Sequence, residues 1–315
     1  MRVLSIDGGG IRGLIPAIVL AEIERRTERR IADLFDLIAG TSTGGILACS
    51  LARPGDDGRP RYSAEELAQL YEREGPKIFH RSLLKTLTSV DGVLDERYAS
   101  GGLVAALREF LGDARLSDAL VPVLVPAYDI EGRFAFFFRS ERAKADPTYD
   151  FTLADVAHAT SAAPTYFEPA RVTDVAGKRR YPLVDGGVFA ANPSMCAYTE
   201  LAQDGREPDV DVLASLGTGT AIRPVRYDDA RGWGQLGWAR PVIDILLSGA
   251  AETVDFQLAH LLGDRYVRLQ ERLENASDDL DDASSENLRA LRAEGQRLVG
   301  DNAAAIDALC ARLVA

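Results

Sequence analysis

Two short apolar runs, each closing in a glycine-rich turn and each followed at once by a helix-like stretch, stand near the N-terminus: "VLSIDGGGIRGLIPAIVLAEIERR" over residues 3–26 and "FDLIAGTSTGGILACSLA" over 35–52. A strand joined through a tight turn to a helix is the unit from which parallel sheets are wound, so the repetition constrains the chain to an α/β fold with a parallel sheet. Later segments fit it. "VPVLVPAYDI" and "RFAFFFRS" read as two strands paired through Glu131-Gly132, and "YPLVDGGVFAANPS" and "VDVLASLGTGT" as strands that run into glycine turns. "LADVAHATSAAPTYFEPA" predicts a helix ending before Pro164, and residues 64–112 predict helix interrupted near Gly75-Pro76 and Asp91-Gly92. Beyond Arg231 the pattern is mostly helical, with "YVRLQ" at 266–270 as a last strand and a helix from about Ser285 to Val299. "RPGDDGRPRY" at 53–62 reads as a surface loop.

The balance of 36 basic against 48 acidic residues gives a net charge of -12, which argues against nucleic acid as a partner. Arg25, Arg26, Arg29 and Arg30 read as the solvated face of the first helix. Cys49, Cys196 and Cys310 lie far apart with no C-x-x-C spacing, so neither a disulfide framework nor a zinc site is indicated. The acidic run "ENASDDLDD" lacks the ligand spacing and glycine of a calcium loop. No charged-then-apolar leader opens the chain and no run of about 18 apolar residues occurs in it, so a soluble, cytoplasmic protein is expected.

The turn at 40–44, "GTSTG", matches G-x-S-x-G between an apolar strand and a helix. A nucleophile there needs small neighbours so that the backbone can fold back while the hydroxyl projects; Gly40 and Gly44 supply them. The helix after the turn aims its N-terminal amides at the same place, which favours negative charge.

The other turn poses a choice, because Gly8, Gly10 and Gly13 satisfy the G-x-G-x-x-G of a dinucleotide site. Such a site wants an acidic residue at the end of the next strand, and here that strand ends in Gly40-Thr41-Ser42, while Asp7 sets a carboxylate where a pyrophosphate would lie. No Gly-Lys-Ser/Thr comes after the glycines, so a P-loop is excluded. Successive amides of Gly8, Gly9 and Gly10 can instead form an oxyanion hole.

A serine nucleophile needs a base. Of the three histidines, His80 in "KIFHRSLL" and His260 in "QLAHLLGD" read as surface or packing residues, and His158 remains a base candidate. Asp185 in "LVDGGV", at a strand end before Gly186 and Gly187, is the better one, although an ordinary Asp-Gly turn has the same look.

"DGGGIRG", "GTSTG" and "DGG" in that order, with "ATSAAPTYFEP", "AANPS" and "SLGTG", resemble the patatin-like phospholipases over residues 1 to about 220, and more weakly in "GPKIF", "VPAYDI" and the helical tail. The resemblance implies a three-layer α/β/α fold with a mostly parallel central sheet, in one patatin-like domain over 1–315. Its catalytic core would span about 1–220 and its mostly helical part about 221–315. It assigns the nucleophile to Ser42, the base to Asp185, the oxyanion hole to Gly8, Gly9 and Gly10, and anion support to Arg12, with Gly40, Gly44, Gly186 and Gly187 shaping the turns. The family works without a catalytic histidine, metal or cofactor; His158 stands where it more often has arginine.

The activity that the resemblance implies is lipid acyl hydrolysis of a glycerophospholipid or lysophospholipid. Transient membrane contact is expected at most, with Trp233 and Trp238 either buried or touching a lipid interface. Two alternatives stay open: a phospholipase effector of bacterial antiphage defence that awaits a signal molecule, and a nucleotide-binding dehydrogenase. Residues 53–62 and 80–101 are candidate lid segments.

Overall fold

The computed structural model describes residues 1–78, 100–202, 207–220, 224–238 and 241–315. Its strands are β1 (Arg2–Ile6), β2 (Leu37–Gly40), β3 (Val123–Asp129), β4 (Phe134–Arg139), β5 (Ala170–Thr173), β6 (Arg180–Asp185), β7 (Val212–Leu216) and β8 (Tyr266–Leu269). They form one sheet in the order β5-β6-β3-β2-β1-β7-β8, with β4 paired to β3 off this path. β3, β2, β1, β7 and β8 are parallel to one another, whereas β4 and β6 run antiparallel to β3.

Period-2 alternation sorts the strand side chains into two cores. Leu4 and Ile6 of β1, Ile38 of β2, Val123 and Val125 of β3, and Val212 and Ala214 of β7 face one side. There they meet the helices Leu14–Thr27, Thr43–Ala52, Ala64–Ile78, Leu153–Thr160, Ser285–Asp301 and Ala303–Val314. Val3, Leu37, Ala39, Leu124 and Leu213 face the other side and pack on Ala197 of helix Ser194–Leu201 and on Leu258 and Leu262 of helix Pro241–Leu262. Both faces of the central strands are buried, which is why their sequences read as unbroken apolar runs. The result is a three-layer α/β/α fold with a mostly parallel sheet.

Several sequence expectations meet their elements. β3 and β4 pair from Leu124↔Arg139 to Asp129↔Phe134, and the turn between them is held by Asp129, whose Oδ1 accepts from the amides of Glu131 and Gly132. "YVRLQ" does form the strand beside β7. Others change. Helix Ala64–Ile78 runs through Gly75-Pro76 without a break. Gly75 serves contact, since a Cβ there would lie 2.5 Å from Ile11 Cδ1. The interruption expected near Asp91-Gly92 lies outside the described residues. Strand β5 is an element that the sequence pattern did not predict, and helix Ala303–Val314 falls in the stretch read only as mostly helical. Residues 53–62 fold onto themselves through a Pro54↔Pro60 bridge. Among the described residues, no helix is long and apolar enough to cross a membrane.

Candidate active site

The register on β3 brings the two ends of the site together. β4 occupies one edge of β3 from Leu124 to Asp129, so the other edge is left to two partners. β2 reaches it at Ile38↔Val123 and Ala39↔Leu124, and β6 at Ala127↔Asp185 and beyond. The two strands run in opposite senses, so the C-terminal ends of both converge on the gap at Pro126. Ser42 leaves one end and Asp185 closes the other.

That gap is filled from a helix. Thr160, last residue of Leu153–Thr160, donates its hydroxyl to the Pro126 carbonyl at 2.6 Å and accepts the Ser42 amide at 2.9 Å. Gly186 must be glycine at this point, because a Cβ would sit 2.3 Å from the same carbonyl oxygen. The turn around Ser42 is as tight. A Cβ on Gly40 would lie 2.0 Å from the Gly44 carbonyl oxygen, and one on Gly44 would lie 2.2 Å from that of Ile6. Ser42 itself takes φ 56° and ψ -122°, a conformation that costs a non-glycine residue about 1–3 kcal/mol and persists where its surroundings enforce it. Here the Thr160 bond and the 3.0 Å bond from the Ile46 amide to the Ser42 carbonyl fix the residue on both sides. Its side chain is half-buried at the start of helix Thr43–Ala52.

Asp185 and Ser42 line the same cavity, where the Ser42 hydroxyl favours the ionised carboxylate, and the Asp185 carboxylate accepts the Gly187 amide at 2.7 Å. Burial dominates over both influences and pushes the Asp185 carboxyl up to about 7. A carboxylate so placed is poised to take a proton near neutral pH.

The loop after β1 faces Ser42: a Cβ on Gly8 would stand 3.3 Å from Ser42 Cβ. Its three glycine amides are not equivalent. The Gly8 N–H donates to the Ala191 carbonyl at 2.9 Å, so this amide is already engaged and Gly8 serves by lacking a side chain. The Gly9 and Gly10 amides find no acceptor among the described residues. Their shapes are enforced by close approach: a Cβ would lie 2.2 Å from Thr218 Oγ1 at Gly9 and 2.1 Å from the Leu280 carbonyl oxygen at Gly10, which also has φ 58°. Thr218 ties the loop further by donating to the Gly8 carbonyl at 2.8 Å.

Asp7, which precedes the loop, is buried and held in a two-pronged pair by Arg268 of β8, at 2.5 Å and 3.0 Å. The same guanidinium donates to Ser215 of β7 at 2.8 Å. The charge that argues against a pyrophosphate is thus an anchor for the loop.

The remaining candidates separate. Arg12 lines the same cavity as Ser42, its Nε donating to the Gly9 carbonyl at 3.4 Å, and it lies in the field of Asp278 and Asp244; burial nevertheless pulls its pKa below that of an ordinary guanidinium. His158 stands two helix positions from Thr160 and therefore projects from the opposite side of Leu153–Thr160; burial lowers its pKa, and its Nε2 has no partner among the described residues. His260 sits exposed on the helix Pro241–Leu262, its Nδ1 at 2.8 Å from the Phe256 carbonyl. His80 lies outside the described residues.

Thr160, Thr218 and Arg268 are the residues that sequence reasoning missed. The first two lie inside the motifs "ATSAAPTYFEP" and "SLGTG", so a signal was present; Arg268 offered none. We expect Thr160→Val, which keeps shape and deletes the hydroxyl, to strand the Ser42 amide and the Pro126 carbonyl. Thermal denaturation should show a loss of about 2 kcal/mol, with kcat on a short ester reduced and largely rescued by Thr160→Ser.

Gly8, Gly9, Gly10, Arg12, Ser42, Asp185, Thr218 and Arg268 open into one cavity of about 1260 Å³. That exceeds the roughly 300–1,000 Å³ of an ordinary small-molecule site. Part of its wall is apolar, with Ile46, Leu70, Ile78, Leu103, Leu107 and Phe110 contributed by the helices on one face of the sheet.

A family model described as Patatin-like phospholipase matches residues 4–198, which is more than half of the chain and contains Gly8, Ser42, Thr160 and Asp185. The chain belongs to the patatin-like phospholipase family. Similarity to family members runs well past the matched segment. Patatin-like protein 1 of Oryza sativa subsp. indica is 35% identical over 100% of this chain and 84% of its own length. Patatin-like protein 4 of Arabidopsis thaliana is 32% identical over 96% of this chain and 84% of itself. A relative from Solanum tuberosum, described as probable inactive patatin-3-Kuras 1, is 32% identical over 95% of this chain and 86% of itself. The crystal structure of VipD from Legionella pneumophila gives a distant overlay, with a TM-score of 0.39 and 12% identity over 95% of this chain and 66% of that one. Membership in the patatin-like family supports lipid acyl hydrolysis in general and sets aside the dehydrogenase reading. Because a relative carries the description "probable inactive", the chemistry has to be argued from this chain's own residues.

Proposed function

We propose that the protein hydrolyses carboxylic esters of lipids through an acyl-enzyme on Ser42, with Asp185 as the base. The observation that carries the reading is the strained Ser42 sharing one cavity with a buried carboxyl on which its hydroxyl acts and whose pKa is raised to about 7. Ionised Asp185 takes the Ser42 hydroxyl proton as Oγ attacks the ester carbonyl carbon. The resulting oxyanion is held by the Gly9 and Gly10 N–H groups, aided by the N-terminal end of helix Thr43–Ala52. Collapse breaks the ester bond, and the leaving alkoxide receives the proton from Asp185. Water then attacks the acyl-enzyme by the reverse route, giving its proton to Asp185, which passes it to Ser42 Oγ as the acyl–serine bond breaks and the fatty acid leaves.

The apolar wall supports a long acyl chain as the group transferred, and therefore a glycerophospholipid or lysophospholipid as the substrate class. No step of the scheme calls on a metal or cofactor.

The pH profile tests the base. Since the free enzyme must carry Asp185 ionised, kcat/KM for a p-nitrophenyl ester should climb as pH rises through about 7 and level off above it. A profile already flat between about pH 5 and pH 8, a window on either side of that value, would remove Asp185 from the role.

A further inference from the structure

Large apolar side chains that the fold leaves in water gather beside the mouth of the cavity: Val225, Tyr227, Trp238, Val242, Ile245 and Leu246. Leu246 is 61% exposed and Tyr227 80%. Val225, Ile245 and Leu246 also line the cavity, whereas Tyr227, Trp238 and Val242 lie outside its wall. The two sets are continuous. Val242 lies three and four positions before Ile245 and Leu246 on helix Pro241–Leu262 and so shares their face. Trp238 meets Trp233 of the wall edge to face, with ring centroids 5.2 Å apart. Apolar side chains thus extend from inside the cavity to the outer face, along the described parts of segment 224–238 and the first turns of that helix, interspersed with the exposed charges of Arg226, Asp228, Asp229, Arg231 and Asp244.

The charges around this surface decide what can cover it. The described wall carries Asp7, Glu74, Asp185, Asp229, Asp244, Glu252, Asp255, Asp278 and Asp279 against Arg12, Arg226 and Arg268. The whole chain carries -12. A surface of like charge would be repelled, while exposed tryptophan, tyrosine and aliphatic groups partition into the boundary between headgroups and acyl chains.

We propose that this face docks on a lipid surface of zwitterionic or uncharged headgroups, and that it delivers the acyl chain from that surface straight into the cavity. The proposal deepens the acyl-hydrolase reading and rests on it only for the hydrolysis part of its test. Both tryptophans of the chain, Trp233 and Trp238, lie in the docking face, so intrinsic emission reports on it without a label. Phosphatidylcholine vesicles should shift the emission to the blue, and phosphatidylglycerol vesicles should shift it less. No shift on phosphatidylcholine, or a larger one on phosphatidylglycerol, overturns the proposal. So does a shift with protein concentration alone that accompanies a dimer in sedimentation, since a second copy would then be the occupant.

The double variant Trp238→Ser/Val242→Ser, which leaves the cavity wall intact, should hydrolyse phosphatidylcholine vesicles about tenfold more slowly while turning over soluble p-nitrophenyl acetate as the wild type does. Unchanged vesicle hydrolysis would overturn the docking role. If the wild type cleaves neither substrate, the acyl-hydrolase reading falls, and the emission experiment decides docking by itself.

Discussion

Asp185→Asn is expected to lower kcat/KM on any ester by about three orders of magnitude or more, with KM little changed. The amide is isosteric and can still meet the Gly187 N–H, so the loop that carries it should keep its shape. What it cannot do is receive the Ser42 proton. Among the described residues no histidine is placed to substitute, since His158 projects away from Thr160 and His260 is bound into an exposed helix turn.

The same variant should gain stability at alkaline pH, and the sign comes from the proton count. Asp185 holds its proton up to about pH 7 in the fold but releases it near 3.8 in the unfolded chain. Between those values the folded state carries the extra proton, so the contribution of this group to stability is complete below 3.8 and disappears as pH rises through about 7. The displacement corresponds to about 4 kcal/mol. Denaturant unfolding at about pH 5 and pH 8 should therefore show wild type losing ground to Asp185→Asn at the higher value. Equal pH dependence in the two proteins would mean that the carboxyl is ionised in the fold across the whole range. Loss of stability with gain of function is the pattern of a group kept for chemistry.

Arg268→Met carries the second large effect. The substitution leaves the Asp7 carboxylate buried beside the oxyanion loop with its partner removed, which costs about 3–5 kcal/mol in a pair of this kind. For a chain of this length that is a fall in Tm of roughly 10 °C. Asp7→Asn/Arg268→Met should recover much of the loss, because the uncompensated charge has gone. Activity of the single variant should fall in kcat more than in KM, as Gly9 and Gly10 lose the fixed strand end from which they project. A double variant no more stable than Arg268→Met would show that packing of the arginine stem outweighs the ion pair.

What the sequence disclosed and what it withheld divide along chain separation. Gly40, Ser42 and Gly44 are legible because their geometry is settled within one turn, where a Cβ would strike backbone a few residues away or on the adjacent strand. The alternation that sorts β1, β2, β3 and β7 into two cores is likewise local, and it yields the layered fold. Asp185 by its spacing alone is an Asp-Gly turn; its meeting with Ser42 depends on β2 and β6 sharing an edge of β3, which no periodicity reveals. Thr160 reaches the Ser42 amide across 118 residues and Arg268 reaches Asp7 across 261, so neither announces its partner. The division of labour among Gly8, Gly9 and Gly10 is of the same kind. It is decided by the Ala191 carbonyl, which takes the Gly8 amide out of the donor set.

The central claim is a covalent acyl-enzyme on Ser42, and trapping tests it most directly. The protein is treated with a long-chain fluorophosphonate, digested, and the modified peptide located by mass spectrometry, with Ser42→Ala and Asp185→Asn in parallel. A single adduct on Ser42 is expected in the wild type, none in Ser42→Ala, and strongly slowed labelling in Asp185→Asn. An adduct on any other residue, or ester hydrolysis that survives in Ser42→Ala, would contradict the claim.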